Sequence, residues 1–264
     1  MPRGFALLAV LWVVAVAGAT VTAAALSLRT AETAAFNRLA LARARWAAEA
    51  CANIAEARSA TSAFERGDTI SLGRDARCAW QVQDPAAGLD VNLASGASFT
   101  RLFLALGATR DSAVAWAARL LRGRENTRYA DAEHALTVAR APIAAAAYLS
   151  AGGEGRVSAA APAPVLATVD GLSAEAVEVL VRQHLESRPV QSLAELTGLV
   201  SGASRAALDE HYVALQNALV FEPRVLLLIS DGWVGAERVS PRARLELFVV
   251  RTTGRLAVLQ RRMR

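Results

Sequence analysis

The residue types that most often carry catalysis are few and scattered in this 264-residue chain. His134, His184 and His211 are its only histidines, and none falls in an H-E-x-x-H or H-x-x-x-H pattern, which would bring two imidazoles to one helix face. There is no G-x-S-x-G nucleophile turn, and the glycine-rich stretch 150–155 lacks the following Lys-Ser/Thr of a phosphate-binding loop. The sequence therefore predicts a protein that is not an enzyme.

Cys51 and Cys78 are the only thiols. Two cysteines are too few for a disulfide-framework fold, and they lack the C-x-x-C spacing of zinc and redox sites. Cys51 lies in a predicted helix and Cys78 in a predicted strand, so the two meet if that strand packs on that helix. In an oxidising compartment they would form a disulfide; elsewhere they would be buried free thiols, and both alternatives stay open.

The basic charge of the chain is a property of its composition rather than of one patch. All 29 basic residues are arginine, the 24 acidic residues are interspersed among them, and the formal net charge is +5. A clustered basic surface would indicate nucleic acid or anionic lipid as a partner, but an even spread does not. A hydrophobic content of 54% predicts a folded chain.

The first structural element that the sequence predicts is a long helix at the start of the chain. Residues 5–28 contain no charge, and these 24 residues suffice at about 1.5 Å rise each to cross a hydrocarbon core of roughly 30 Å. No Pro or Gly interrupts residues 19–66, which predicts one helix continuing to about residue 57. A secretion signal cut near residues 23–25 and a plain membrane anchor are the alternatives.

The second half of this helix, residues 29–57, is amphipathic. Its apolar residues recur at helical spacing and are expected to pack against a folded domain. They are Ala35, Phe36, Leu39, Leu41, Trp46, Ala50 and Ile54.

The start of the chain resembles type IV pilins and pseudopilins: a leader of residues 1–4 ending in Gly4, then Phe5, then an unbroken apolar helix. The resemblance implies that a prepilin peptidase cuts between Gly4 and Phe5 and that Phe5 is methylated. Most members of this family carry Glu as the fifth mature residue, where this chain has Ala9. A carboxylate without a partner among apolar helices is costly, so a subunit with nothing ahead of it can dispense with the acid. An apolar residue at this position is characteristic of the K-type minor pseudopilin of type II secretion, so the start of this chain resembles that class.

Two stretches of the chain are predicted to form one antiparallel sheet. Residues 58–72 read as a loop, and residues 74–84 alternate apolar and polar side chains, as a strand with one buried face does. Near the C-terminus, short apolar runs at 225–229, 245–250 and 256–259 are separated by turn signals at 230–232, 240–242 and 252–254. We expect 58–85 and 221–264 to form a pilin-like β region.

The middle of the chain, 86–220, contains an imperfect repeat. One copy spans 89–121 and the other 155–185, and each has an extended stretch, a short helix, a Gly, a helix N-cap residue and a second helix. The paired turn residues are Gly107 with Thr109, and Gly171 with Ser173. Such units resemble helix-hairpin-helix modules, and K-type pseudopilins carry a helical domain of this kind inserted into the pilin fold.

The opening segments of the two copies also resemble the family pattern. Residues 90–95 resemble its Leu/Val-Asn-Leu-Asn motif, and residues 157–166 resemble the second occurrence, with Ser158 and Ala160 in place of Asn. The fold class is therefore α+β: a pilin-like long N-terminal helix packed on an antiparallel sheet, with a large inserted α-helical, helix-hairpin-helix-like domain.

Helix-hairpin-helix units often bind DNA, through backbone N–H groups of a Gly-hydrophobic-Gly turn at a helix N-terminus. The turns at 107–109 and 171–173 both lack the second Gly, and the helix after the second turn opens with Glu175 and Glu178, which would repel phosphate. We therefore expect a packing scaffold and regard nucleic acid as an unlikely partner. A membrane-anchored DNA-binding or DNA-uptake protein is the alternative, and an anchored periplasmic enzyme is the third.

The resemblance implies a metal as well. Family members bind calcium in the inserted domain through clustered carboxylates, and the corresponding zone, 122–136, offers Glu125, Asp131 and Glu133. Arginines at 122, 124 and 128 compete for these acids. Ca²⁺ takes six or more oxygen ligands, so calcium is a weak expectation and no other cofactor is expected.

The resemblance further implies a role, partners and a location. The expected role is that of a tip subunit that helps to initiate and cap the type II secretion pseudopilus. The expected partners are the minor pseudopilins of the I and J types, the inner-membrane secretion platform and the prepilin peptidase. The expected location is the inner membrane, spanned once, with the C-terminal domain in the periplasm.

Overall fold

A computed structural model describes residues 3–61, 69–73, 75–235, 241–252 and 255–263. Its helices are α1 (Arg3–Thr61), α2 (Gly96–Ala105), α3 (Arg110–Asn126), α4 (Ala132–Ala139), α5 (Ala163–Leu166), α6 (Ala174–Leu185), α7 (Leu193–Leu199), α8 (Gly202–Glu210) and α9 (Tyr212–Ala218). Short 3₁₀ helices occupy Pro85–Ala87 and Ile143–Tyr148.

The strands are β1 (Thr69–Leu72), β2 (Ala76–Gln83), β3 (Leu89–Asp90), β4 (Leu149–Ser150), β5 (Val157–Ser158), β6 (Leu219–Val220), β7 (Val225–Val234), β8 (Arg242–Thr252) and β9 (Arg255–Met263). Five of them form one sheet in the order β1-β2-β7-β8-β9, with every neighbouring pair antiparallel. The pilin-like α+β fold expected from the sequence is thus present: a long helix, an antiparallel sheet and a helical insertion between β2 and β7.

Two local expectations for this sheet were wrong. Residues 69–72, expected in a loop, form the edge strand β1, and β7 runs straight through residues 230–232, expected as a turn. The strand continues there because two small residues of this segment, Ser230 and Gly232, face α1. The buried hydroxyl of Ser230 donates to the Ala48 carbonyl oxygen at 2.8 Å, and Gly232 lies directly under the helix.

Helix α1 packs on the sheet through small side chains. A Cβ atom at Gly232 would collide with the Ala44 carbonyl oxygen and the Ala48 nitrogen, so only glycine allows the backbones to approach this closely. The face of α1 that is buried against the sheet consists of Ala44, Ala47, Ala48, Cys51, Ala52 and Ala55.

The apolar face expected to make this contact was therefore misassigned. Phe36, Leu39 and Trp46 point away from the sheet and are 65%, 49% and 58% exposed. Ala35 is exposed as well, and Leu41, Ala50 and Ile54 are half-buried. Where the backbone of α1 comes this close to Gly232, the helix has no room for large side chains on its inner face, so alanines take that position.

Cys51 and Cys78 form a disulfide between α1 and β2, with their Cα atoms 6.0 Å apart. Of the two alternatives that the sequence leaves open, the structure has the bonded one. The bridge lies in the same core as Trp80 and Leu228, beside the contact at Gly232. It fixes the helix to the sheet at the level where the alanine face is buried.

The insert has a separate hydrophobic core made of larger side chains, among them Phe99, Leu102, Phe103, Leu120, Leu136, Leu166 and Leu180. It consists of two units in tandem. In the first, β3 pairs in parallel with β4, and in the second, β5 pairs in parallel with β6, so the last residues of each unit return beside its first. The helices α2–α4 lie between the first pair of strands, and α5–α9 between the second.

Candidate functional site

The N-terminal part of α1 stands free of the folded domain. Every described side chain from Val10 to Leu39 is exposed, including Leu11, Trp12 and Val13, which are 65–69% exposed. Among the described residues this is the one helix that is long and apolar enough to cross a membrane, and its most apolar stretch has no buried residue. Such surface is costly in water, so α1 is a candidate single membrane anchor.

The residues expected to direct processing lie at the start of this helix. Gly4, Phe5 and Ala9 all belong to the continuous backbone of α1, which begins at Arg3. Cleavage after Gly4, methylation of Phe5 and the significance of Ala9 for tip position stay predictions.

The insert is joined to the sheet at the end farthest from the apolar part of α1. Gly232 of β7 lies against Ala44 and Ala48, and Ser230, two residues nearer the start of the strand, donates to the Ala48 carbonyl oxygen, so α1 runs toward its C-terminus as β7 is followed back toward Val225. The insert enters after Gln83 of β2 and leaves before Val225 of β7, which are adjacent strands. Its attachment is thus at the C-terminal end of α1, remote from the span.

The insert also leans on the sheet face opposite α1. Phe248 of β8 packs directly against Gly152, where a Cβ atom would collide with its ring. Arg262 of β9 donates to the Ala130 carbonyl oxygen at 2.7 Å and lies over the Phe248 ring at 5.4 Å. A cleft of about 670 Å³ lies beside these contacts, and its wall is partly apolar and partly charged, with acidic and basic residues together: Asp84, Asp131, Glu133, Arg244, Glu246 and Arg262. These contacts tie the insert to the sheet in addition to its two covalent connections.

The two expected hairpin turns share one geometry. Gly107 and Gly171 both have positive φ, at 87° and 81°, which L-residues rarely adopt. Two residues later Thr109 and Ser173 cap α3 and α6, accepting from the N–H of the third residue beyond, at 3.4 and 3.2 Å. The turn chemistry of the repeat was therefore predicted correctly.

The N-terminus of α6 is occupied by an acid rather than open to phosphate. Glu175 accepts from the Ser201 N–H at 2.8 Å and from the Ser201 hydroxyl at 2.5 Å, which joins α6 to the start of α8. The hydrogen bonds from Ser201 and Ser204 lower the pKa of Glu175. A charged carboxylate in the first turn of α6 would repel a phosphate at that helix N-terminus, which argues against the DNA-binding alternative.

Asn92, in the motif that opens the first unit, is a main-chain clamp. Its amide oxygen accepts from the Tyr129 N–H at 2.8 Å, and its amide nitrogen donates to the Tyr129 carbonyl at 3.1 Å. The second unit has Ala160 two residues after Ser158, just as Asn92 follows Asp90, so it lacks this clamp.

The structure shifts the register of the repeat from the one read in the sequence. Ser158, aligned there with Asn92, occupies the place of Asp90 instead. Asp90 and Ser158 are the second residues of β3 and β5, the strands that open the two units. Each side chain accepts a hydrogen bond from the N–H group two residues further along the chain: Asp90 from Asn92 at 2.7 Å, and Ser158 from Ala160 at 3.2 Å. Asp90 also accepts from Leu93 and from Gly153, and its burial raises its pKa despite these bonds.

The three calcium candidates are not gathered into a site. Glu125 is exposed on α3, Glu133 is exposed in the first turn of α4, and Asp131 caps α4 by accepting from the His134 N–H at 2.7 Å. Over the described ranges, no three His, Cys, Asp or Glu side chains form a group that could hold a metal ion. This donor set does not fit the six to eight oxygens that Ca²⁺ takes, so no step is assigned to calcium.

Sequence reasoning missed the residues on which the helix–sheet contact depends. These are Ser230, Gly232 and the alanine face of α1. A signal for them was present, since small residues recur at 44, 48, 51, 52 and 55, the spacing of one helix face. It was masked by the larger apolar residues that recur with the same period on another face.

Comparison with known proteins shows a likeness in fold to a solved structure, but none in sequence. No protein-family model matches the sequence, and no curated protein matches it. A chain in the crystal structure of the GspK-GspI-GspJ complex from the enterotoxigenic Escherichia coli Type 2 Secretion System has the same fold, with a TM-score of 0.63 and 13% sequence identity. The likeness covers 89% of this chain and 99% of that one.

Proposed function

We propose that this chain is a K-type minor pseudopilin of a type II secretion system, located at the tip of the pseudopilus, where it helps to initiate and cap the filament. The observation that carries the proposal is the position of the insert. It is attached at the end of the sheet that lies away from the exposed apolar part of α1. The likeness in fold to a chain of a complex of three secretion-system proteins supports the same reading.

The anchor fixes the orientation of the subunit. With residues 5–28 in the inner membrane and the folded domain in the periplasm, the insert is the part of the molecule farthest from the bilayer. A filament that grows by adding subunits at its membrane end carries its first subunit outward. A bulky domain above the sheet would obstruct any subunit placed over it, which suits a cap and not a repeating unit.

A periplasmic location is consistent with the disulfide between Cys51 and Cys78, because disulfides persist in oxidising compartments. The partners on this proposal are minor pseudopilins of the I and J types, which would contact α1 and the folded domain. The secretion platform and the prepilin peptidase are the inner-membrane partners. The role needs no catalysis.

The test is mass spectrometry of the mature N-terminus of the chain, purified from cells with and without the prepilin peptidase. The expected chain begins at Phe5, carries one added methyl group at its terminal amine, and retains residues 1–4 when the peptidase is absent. A mature chain that begins elsewhere, or processing that does not depend on the peptidase, would overturn the proposal. Restoration of secretion in a deletion strain by the full chain, but not by a chain lacking 86–220, would test the role of the insert.

A further inference from the structure

The two units of the insert differ in the length of the first helix of their hairpins. The turn glycines Gly107 and Gly171 fix the alignment of one unit on the other. Asp90 lies 17 residues before its turn glycine, whereas Ser158 lies only 13 residues before its own, so the second unit is four residues shorter there. Four residues are about one helical turn. In keeping with this, α2 has 10 residues and α5 has 4.

In the first unit, the first turn of α2 covers one face of α3. A Cβ atom at Gly96 would lie 2.8 Å from the Leu121 side chain, so this leucine is directly under the start of α2. Ala117, one helical turn before Leu121 on α3, is 3% exposed. Phe99, at the end of the first turn of α2, is fully buried. This turn therefore shields the face of α3 from water.

In the second unit, the corresponding face of α6 is open. The alignment pairs Leu121 with Leu185 and Ala117 with Val181. Leu185 is 77% exposed, and Val181 is only half-buried. Apolar area of this kind becomes favourable to bury when a partner covers it. The second unit thus leaves uncovered the face that the first unit covers by itself.

A groove of about 610 Å³ lies between α5 and α6 at this face, and we call it the α6 groove. Val177, Val181 and Leu185 line it from α6. Ala163 lines it from α5, at the position that the alignment gives to Phe99, and Ala163 is exposed whereas Phe99 is buried. The first unit therefore shows what fits such a groove: one helical turn that carries a large apolar side chain.

The charges around the α6 groove indicate a basic partner. The charged residues in its lining are Glu178, Arg182 and Glu186. Within the part of the chain that the structure describes, none of the three is ion-paired within 4.0 Å. The surrounding segment 163–220 contains seven acidic residues and three arginines, although the chain as a whole has a net charge of +5. An acidic surface favours the approach of a basic partner and disfavours an acidic one.

We infer that the α6 groove binds an amphipathic helix of another protein, with basic residues on its flanks and a phenylalanine or a side chain of similar size at its centre. This helix supplies from outside the turn that α2 supplies within the first unit, with a small residue over Leu185 and the large apolar one beside Ala163. The inference rests on the insert alone and goes beyond the proposed function.

A second copy of this chain does not meet these requirements. Its exposed apolar helix, residues 10–39, is held in and next to the membrane, whereas the insert is attached at the opposite end of α1. Its own α2 is packed through Phe99, Leu102 and Phe103 into its first unit and is not free to bind elsewhere. The helix therefore belongs to a different chain.

The experiment measures binding of a labelled synthetic helix to the full chain in an uncharged detergent, by fluorescence anisotropy. The peptide repeats the spacing of Gly96, Phe99, Leu102 and Phe103, with arginine at the remaining positions, and its binding to detergent alone is subtracted. A peptide with alanine at the position of Phe99 should bind about thirtyfold more weakly, as expected when a central anchor is lost. A peptide with glutamate in place of arginine should not bind measurably.

Variants of the chain locate the binding site. Ala163→Phe introduces the residue of the first unit and fills the α6 groove from within, so binding should weaken at least about tenfold. Leu185→Asn changes an exposed side chain that the fold does not need, and it should weaken binding by a similar factor. Val213→Asn is its matched control, because Val213 lies on α9 of the same unit, is 70% exposed and does not line the groove.

The charge is tested with a second matched pair. Glu178→Arg should weaken binding of the arginine peptide about fivefold, whereas Glu210→Arg, the same change on an exposed acid of α8 outside the groove, should leave it within about twofold. Thermal unfolding followed by circular dichroism reports that all four variants fold.

Three results overturn the inference. One is the absence of measurable binding by the wild-type chain up to about 1 mM peptide. Another is binding that Ala163→Phe and Leu185→Asn leave unchanged. The third is a dimer of the full chain that Ala163→Phe makes monomeric, which would assign the α6 groove to a second copy. None of them affects the N-terminal processing on which the proposed function is tested.

Discussion

In the core between α1 and the sheet, the helix contributes only alanines and a disulfide-bonded cysteine, and the large side chains come from the sheet; in the insert, the helices themselves contribute phenylalanines and leucines. In the first, Gly232 and the alanine face bring two backbones together, and the side chains that α1 buries are all small. In the second, Phe99 and Phe103 are almost fully buried, and Phe103 meets Trp116 edge to face at 5.3 Å between ring centroids.

The difference follows from what else each region does. Helix α1 keeps its large side chains on the face away from the sheet, so only small ones remain to hold it down. Burial of apolar area contributes roughly 25 cal/mol per Å², so an alanine contact needs a close fit and a covalent bond to hold. The large side chains of the insert are not needed for an exposed apolar face, and they form its core.

Two tryptophans report on the two cores separately, since Trp80 is buried under α1 and Trp116 is half-buried in the insert. Fluorine NMR of 5-fluorotryptophan-labelled full chain in detergent follows both through one unfolding titration. If the regions differ as described, each substitution below shifts one signal and leaves the other.

The largest effect is expected from removing the disulfide with Cys51→Ser and Cys78→Ser together. Closing a loop of sequence separation 27 contributes about 3–4 kcal/mol, which would be lost from the helix–sheet core. The Trp80 signal should then unfold at much lower denaturant, while the Trp116 transition should stay in place. A common shift of both signals would show that the two regions unfold as one unit.

Gly232→Ala should destabilise the same core by about 1–3 kcal/mol, because its methyl group would collide with the backbone of α1. Gly202→Ala is the matched control: it adds the same methyl group at the start of α8, where no atom lies within 4 Å and φ is not positive. That change should leave the insert unchanged or stabilise it by about 0.4–1 kcal/mol. Similar losses for both variants would argue that close approach is not what Gly232 provides.

The smallest effect is expected from Asp90→Ser, which gives the first unit the residue found at Ser158 in the second. Because burial raises the pKa of Asp90, the folded protein takes up a proton before the unfolded chain does as the pH falls. Wild-type stability should therefore rise relative to the variant as the pH is lowered from neutral through that raised pKa, until aspartate is protonated in both states.

Thermal unfolding of the two proteins between pH 7 and pH 3, read at Trp116, measures this difference. Asp84, whose pKa is also raised by burial, is common to both and cancels in the comparison. A difference that is independent of pH, or that changes in the opposite direction, would mean that hydrogen bonds from Asn92, Gly153 and Leu93 outweigh burial.

Much of this fold could be predicted from local signals. The uncharged run 5–28, the alternation around Cys78 and the paired turns at Gly107 and Gly171 each depend on residues close in sequence, and each was assigned to the right kind of element. The helices α4, α8 and α9 were missed, because none of them was marked by a comparable pattern.

The errors came from contacts between distant parts of the chain. Ser230 and Gly232 look like a turn until α1, some 180 residues earlier, covers them. The apolar period of α1 was read correctly but given to the wrong face, because periodicity does not say which of two apolar faces meets the sheet. The carboxylates at 125, 131 and 133 are near in sequence, yet helix geometry separates their roles.

The adjacency of β2 and β7 has an evolutionary consequence. Gln83 pairs with Leu227, so the insert spans the gap of a β-hairpin whose two arms already lie side by side. Seen as topology, it is an oversized hairpin loop whose ends need no rearrangement to be joined by a tight turn. Because the entropy of closing a loop grows only slowly with its length, gain or loss of a domain at this position changes the cost of closing the hairpin little, and what the sheet loses with the insert is its contacts at Gly152 and Ala130. A single insertion or deletion in the gene can thus convert a subunit without the inserted domain into one that carries it, or the reverse.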